Sequence, residues 1–196
     1  MIIRNATLAD LPYIYDLCAK TAFDGKDSRS LISDDNKVGH YFAAPYLHYD
    51  LAGCFVVCDN HLVKGYILGV VDTKHYTQWL NNNWIKQIQP LYDINATPVS
   101  GLDAYLNTVI HNATQLDERL DQYQAHFHID LLPDFQNLGW GKQLFQAFRD
   151  YCKHNNVEKL HLKVSCTNLN ALSFYEHLGF YEIFKTESIV AVGFDI

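Results

Sequence analysis

Hydrophobic and polar positions along this chain fall into runs of two periods, and each run predicts an element. Ile2 to Arg4 predicts a short opening strand. Thr7 then reads as a helix N-cap, with Asp10 at the third position of a capping-box-like arrangement. Leu11, Ile14, Tyr15 and Cys18 recur at helical spacing and carry a first helix to about Lys20. The segment 23–33 is polar and contains glycine, so it reads as loop. A second short helix is predicted over 36–42, ended before Pro45. CFVVC at 54–58 and LVKGYILGVV at 62–71 are rich in β-formers, with Asp59 and Asn60 between them, and they predict an antiparallel hairpin.

Residues 72–123 break this rhythm. Trp79, Leu80, Trp84, Ile85 and Ile88 fall at helical spacing, Pro90 and Pro98 mark irregular turns, and Leu102, Leu106, Val109 and Ile110 predict another helix. The segment reads as a largely helical insertion between two strands. Its Trp79, Trp84, Tyr92 and Tyr105 are numerous for a connector, so the insertion is expected to form one wall of an acceptor pocket; the rival reading is a homodimer contact. A strand over 124–132 follows, then a glycine-bearing turn and a helix with Leu144, Phe145, Phe148, Tyr151 and Cys152 on one face. A strand at 160–164, a helix at 168–178 stopped by Gly179, and two short strands complete the chain. The β-α-β order over 124–164 predicts parallel strands joined by a right-handed crossover.

Composition narrows the function classes. A chain of 196 residues suits one compact domain, 1–196, and 48% hydrophobic residues supply a core without disulfide staples. The formal net charge is -7 and no basic block occurs, which sets nucleic-acid binding aside and suits a cationic acceptor such as an amine. Five cysteines without a C-x-x-C pair point to a reducing compartment. The opening MIIRNATLADL lacks the charged head and apolar run of a signal peptide, and no apolar stretch is long enough to span a bilayer. The expectation is a cytoplasmic protein without membrane contact.

The sharpest chemical signal is the segment from Pro133 to Gly141, PDFQNLGWG, between a strand and a helix. Gly139 and Gly141 leave the backbone bare where the helix begins, so unpaired N–H groups and the positive end of the helix dipole make a site for pyrophosphate. The order Q-x-x-G-x-G fits neither the dinucleotide fingerprint nor the P-loop. About thirty residues on stands Asn168-x-x-Ala171-x-x-Phe174-Tyr175-x-x-x-Gly179-Phe180.

This pair of motifs resembles the GNAT N-acetyltransferase superfamily: the first its pyrophosphate-binding loop, the second its Asn…Tyr…Gly-Phe segment. The opening I-R-x-A-T-x-x-D-L and Gly65-Tyr66-Ile67-Leu68-Gly69 resemble its first and third strands. With PYL near 46, GYILGVVDT and HFHIDLLP, the chain also looks like the acetyltransferase-like domain of O-GlcNAcase and bacterial stand-alone relatives. The resemblance implies an α/β fold with a central, mixed, mostly antiparallel twisted sheet flanked by helices, and acetyl-CoA as co-substrate without a metal. It implies that backbone at Leu131 and Leu132 meets the pantetheine arm, and that Gln136, Asn137, Leu138, Gly139, Trp140, Gly141 and Lys142 surround the pyrophosphate. Gln136 stands where Arg is commoner and brings no charge. Asn168 is expected to face the pantetheine, Phe174 to pack near the cofactor, and Tyr175 to bring its hydroxyl to the sulfur as a general acid.

The reaction also needs a base. In the strand His126-Phe127-His128-Ile129-Asp130, alternation puts His126, His128 and Asp130 on one face and Phe127, Ile129 and Leu131 on the other. H-x-H-x-D partly resembles a metallo-β-lactamase ligand set, but Leu131 stands where that pattern continues with His. Asp130 is the expected base, outside the core and next to Leu131, with His128 and Asp72 as alternatives. The expected activity is acetyl transfer to a small-molecule or peptide amine. The alternatives are a module that holds acetyl-CoA or a peptide without turnover, and a metal-dependent hydrolase.

Overall fold

A computed structural model describes residues 1–196. Strands β1 (Ile2–Asn5), β2 (Cys54–Asp59), β3 (Leu62–Val70), β4 (Ala125–Leu131), β5 (Lys159–Ser165), β6 (Tyr181–Lys185) and β7 (Ile189–Asp195) form one sheet in the order β1-β2-β3-β4-β5-β7-β6. Every neighbouring pair is antiparallel except β4 and β5, which run parallel as the β-α-β pattern predicts. The β2–β3 hairpin turns on Asn60 and His61, whose φ values of 45° and 71° are those of a two-residue turn that matches strand twist.

Local chemistry sets the helix starts. Helix α1 (Leu11–Thr21) begins after a buried Asp10 whose carboxylate accepts from the Thr7 N–H and hydroxyl and, bidentately, from Arg4. Those hydrogen bonds, Arg4's first, hold the Asp10 pKa below the usual carboxylate value. Helix α2 (Asn36–Phe42) has the predicted bounds, but Pro45 does not lead into a loop. It lies in the first turn of a further helix, α3 (Ala44–Tyr49), where the missing N–H costs nothing.

The insertion is helical: α4 (Thr73–Trp79), a π-helical turn (Leu80–Trp84), α5 (Ile85–Ile88) and α6 (Gly101–His111). It is bolted to α2. Lys37 and Asp103, both fully buried, lie 2.7 Å apart, and Asp103 also accepts from Ser33 and the Val99 N–H. Burial pushes the Asp103 pKa up, but Lys37 and these donors outweigh it and the net shift is downward. Trp84 Nε1 donates to the His40 carbonyl at 2.7 Å.

Both faces of the sheet are covered. On one, α1, α3 and the insertion enclose Ile14, Leu17, Tyr66, Leu68, Leu106 and Ile110. On the other, α7 (Trp140–His154) and α8 (Leu169–Leu178) pack Leu144, Phe145, Phe148 and Tyr175 against Ile67, Phe127 and Leu160. This double burial is why β3 reads as a nearly continuous apolar run. All five cysteines are unpaired, and no helix is long and apolar enough to cross a membrane.

Candidate active site

The parallel strands at the centre separate almost at once. β4 and β5 pair only at Ala125 with Leu160 and His126 with His161, whereas β4 stays paired with β3 through Leu131. The Leu132 N–H donates to the Lys64 carbonyl at 3.0 Å. By alternation the main-chain groups of Phe127, Ile129 and Leu131 turn to the other side, where β5 has left. The cleft thus offers an open strand edge to an extended ligand. Of the two leucines named from the sequence, Leu131 has its backbone toward the cleft and the N–H of Leu132 is committed to β3. The Leu131 carbonyl accepts from Gln136 Nε2 at 3.0 Å, so Gln136 ties the following turn back to the strand.

That turn carries two left-handed residues, Asn137 at φ 59° and Gly139 at φ 83°. Asparagine tolerates this conformation and glycine adopts it freely. Gly139 is the N-cap of α7, and no side chain caps the helix. The first N–H groups of Trp140, Gly141 and Lys142 are therefore left for a ligand or water, at the positive end of a four-turn dipole. A Cβ on Gly141 would stand 3.0 Å from the Phe174 ring, so the glycine lets α7 and α8 close together here. Leu138 projects into solvent from the turn.

Helix α8 supplies the second motif. Asn168 Oδ1 accepts from the Ala171 N–H at 3.1 Å and caps the helix, which leaves its amide nitrogen free to donate elsewhere. Tyr175 is buried against Phe127, Phe174 and Phe180. Burial holds its phenol well above the usual pKa, and the nearby Asp130 charge pushes the same way, so the hydroxyl is a neutral donor. Gly179, at φ 94°, ends the helix as predicted.

Asp130 is half-buried, on a face of β4 packed by α1 and shared with the fully buried Tyr66 and Leu68 of β3. The carboxylate accepts from the Tyr66 hydroxyl at 2.6 Å. Burial pushes its pKa up to about 6, with hydrogen bonds from Tyr66 and Thr21 opposing that rise. The alternatives are differently occupied. His128 lies edge-on to Phe42 and Tyr46, and burial lowers its pKa to about 4, leaving a weak base. Asp72 is exposed and caps α4 by accepting from the His75 N–H at 2.9 Å. His126 spends both ring nitrogens on Tyr46 and Thr73, each at 2.8 Å. No group of three or more His, Cys, Asp or Glu side chains is arranged to hold a metal.

Sequence reasoning missed Tyr66, Thr21 and Phe42. The signal for Tyr66 was its place in the third strand, but only the β3–β4 register sets it opposite Asp130. Of the insertion's aromatics, Trp84 and Tyr92 are buried, and Trp79 stacks on Trp84 and lies tilted against Tyr49. A groove of about 630 Å³ runs between α1 and α2 past Tyr15, Asp16, Asp35 and His40; neither Asp130 nor the 136–142 turn lines it.

Comparison with known proteins agrees with this geometry. The chain is 31% identical to a solved structure described as SsHAT, with a TM-score of 0.93 over 99% of this chain and 97% of that one. It resembles in fold the PaiA N-acetyltransferase of Thermoplasma acidophilum in complex with coenzyme A, at 12% identity and a TM-score of 0.60 over 100% and 98% of the two chains. It is 39% identical over 56 residues to the ribosomal protein bS18-alanine N-acetyltransferase of Salmonella typhimurium, a match covering 29% of this chain and 38% of that protein. The model of the acetyltransferase (GNAT) family matches residues 14–180, and the chain belongs to that family.

Proposed function

We propose that this protein transfers an acetyl group from acetyl-CoA to an amine by direct attack. One observation carries the reading: an open strand edge, an uncapped helix N-terminus, a neutral phenol and a carboxylate of raised pKa gather at the head of β4. The residues fit acetyl-CoA, which would supply an activated thioester. Backbone groups of Leu131 and its neighbours hold an extended pantetheine as an added strand. N–H groups from Asn137 to Lys142 receive the pyrophosphate, with charge supplied by the helix end. Asn168 offers its free amide nitrogen and Phe174 an apolar surface.

Each proton then has a place to go. Asp130, ionised at neutral pH, attracts the ammonium and takes its proton directly or through water. An N–H on the open edge of β4 stabilises the negative charge that develops on the carbonyl oxygen. As the N–C bond forms and the C–S bond breaks, the Tyr175 hydroxyl delivers a proton to sulfur. The second proton, lost from nitrogen as the amide forms, passes through solvent to the Tyr175 phenolate, and Asp130 returns its proton to solvent.

The acceptor class is an amine, small or peptidic; the Salmonella relative's name makes a peptide with N-terminal alanine one acceptor to try. Calorimetric titration with acetyl-CoA, followed by thiol release in the presence of an amine panel, tests the reading. Binding with transfer is expected. Binding without transfer to any amine would make this an acetyl-CoA-binding module instead.

A further inference from the structure

Among the insertion's large aromatic side chains, Tyr76 and Tyr123 are buried, and Trp79, Trp84 and Tyr92 are consumed by packing. Trp84 is 9% exposed with its N–H bonded to His40, Tyr92 is 8% exposed with its hydroxyl on the His40 ring, and Trp79 stacks on Trp84. Tyr105 is different: it is 50% exposed and makes no side-chain hydrogen bond that would explain its position. Its ring lies nearly parallel to Phe42, with centroids 6.5 Å apart. Phe42 in turn meets the His128 ring edge-on at 5.4 Å. His128 shares a face of β4 with Asp130, two residues on.

From Asp130 outward, the wall therefore runs His128, Phe42, Tyr105. One carboxylate is followed by three rings, and none of the three carries charge at neutral pH. We infer that Phe42 and Tyr105 form the acceptor-side wall of the cleft and select a monoamine whose nitrogen is borne on an apolar, uncharged body, such as an arylalkyl or alkyl amine. This inference rests on the transferase reading for the placement of the amine at Asp130. The ammonium is drawn to Asp130 and to the ring faces, while the body is desolvated against Phe42 and Tyr105. A free amino acid would bring a second carboxylate beside that of Asp130, and the two like charges repel. A polyamine would bury a second ammonium against rings without a partner.

Tyr105 is the residue to test, since its exposure makes truncation harmless to the fold. Calorimetry with CoA present compares 2-phenylethylamine, hexylamine, alanine, spermidine and an alanyl peptide on wild type, Tyr105→Ala and Tyr105→Phe. The two monoamines are expected to bind wild type best, to weaken about tenfold in Tyr105→Ala, and to keep their affinity in Tyr105→Phe; a tenfold loss is ~1.4 kcal/mol. Acetyl-CoA affinity should be the same in all three proteins. Equal monoamine binding by wild type and Tyr105→Ala, or a preference for spermidine, alanine or the peptide, would overturn the proposal. Thiol release from acetyl-CoA separates the two readings. Tyr105-dependent monoamine binding without release keeps the wall and removes the transferase; release with the peptide and no monoamine binding does the reverse.

Discussion

The turn from Pro133 to Lys142 and the wall that runs from Tyr66 to Tyr105 both end at the head of β4, yet they are built by different means. The turn is contiguous in sequence and presents backbone. Its working parts are N–H groups, two left-handed residues and a helix end, and its Gln136 side chain bonds to the main chain of Leu131. The wall is assembled from α1, α2, β3, β4 and α6, and it presents side chains whose properties depend on burial. A backbone site tolerates change at most side chains and fails at the glycines. A side-chain site fails wherever one partner is altered, and its electrostatics can be tuned without touching the cofactor.

Substitution at Gly141 should have the largest effect, because it attacks the backbone site directly. Gly141→Glu places a carboxylate and a Cβ against Phe174 where acetyl-CoA is expected to lie. Titration calorimetry should show acetyl-CoA affinity falling by ~100-fold or more, about 2.7 kcal/mol. Gly139→Ala, at φ 83°, should cost less, on the order of 1–2 kcal/mol of backbone strain. Unchanged affinity in both variants would break the contrast between the two regions.

Tyr175→Phe removes only the hydroxyl and should leave acetyl-CoA affinity alone. Turnover should fall by ~10²-fold, the low end of general acid catalysis, since a thiolate is a fair leaving group. A turnover number within about twofold of wild type would show that the sulfur needs no proton from this phenol.

Asp130→Asn probes the side-chain region through pH. The carboxylate must be ionised to act as a base, so wild-type turnover should rise with pH through about 6 and then level. In the variant that inflection should vanish and turnover drop at least ~10-fold, with partial recovery at high pH where the amine deprotonates unaided. Stability should move the other way. The folded pKa lies above the ordinary value of 3.8, so the stability associated with the protonated form is complete below pH 3.8 and lost as pH rises through about 6. Thermal unfolding at pH 7.5 should show Asp130→Asn more stable than wild type, by at most ~2–3 kcal/mol. That gain should shrink toward pH 4. A variant that is less stable at pH 7.5 would mean that the carboxylate is not held in a desolvated site.

Gln136→Leu should be the mildest change. It deletes one neutral hydrogen bond, worth about 1 kcal/mol, between the turn and β4. Acetyl-CoA affinity should fall about fivefold with turnover unchanged at saturation. A loss as large as that of Gly141→Glu would mean that this side chain contacts the ligand itself.

Much of this arrangement is legible in the sequence. The helix at 36–42, the stop at Gly179 and the strand–turn–helix at 124–154 appear where periodicity and glycine placement put them. What escaped had non-local causes. Pro45 ends one helix and starts another because Ala43 breaks the chain direction between them, a bend that no residue preference announces. The last strand inserts between β5 and β6, and the order of short strands within a sheet is not written in their hydrophobicity.

By itself the sequence determined the cofactor-side turn, the two motif helices and the candidate list of Asp130 and Tyr175. Those depend on neighbours within one or two turns, where spacing and backbone preference act directly. Tertiary structure decided which candidate has the chemistry. Asp130 has a raised pKa because burial desolvates it more than the Tyr66 hydrogen bond compensates, His128 is a poor base because burial among aromatic rings desolvates it, and Asp72 is spent on a helix end. It also chose Tyr105, among the aromatic residues of the insertion, as the one left exposed. Burial and long-range partners fix protonation and accessibility, and neither leaves a trace in local periodicity.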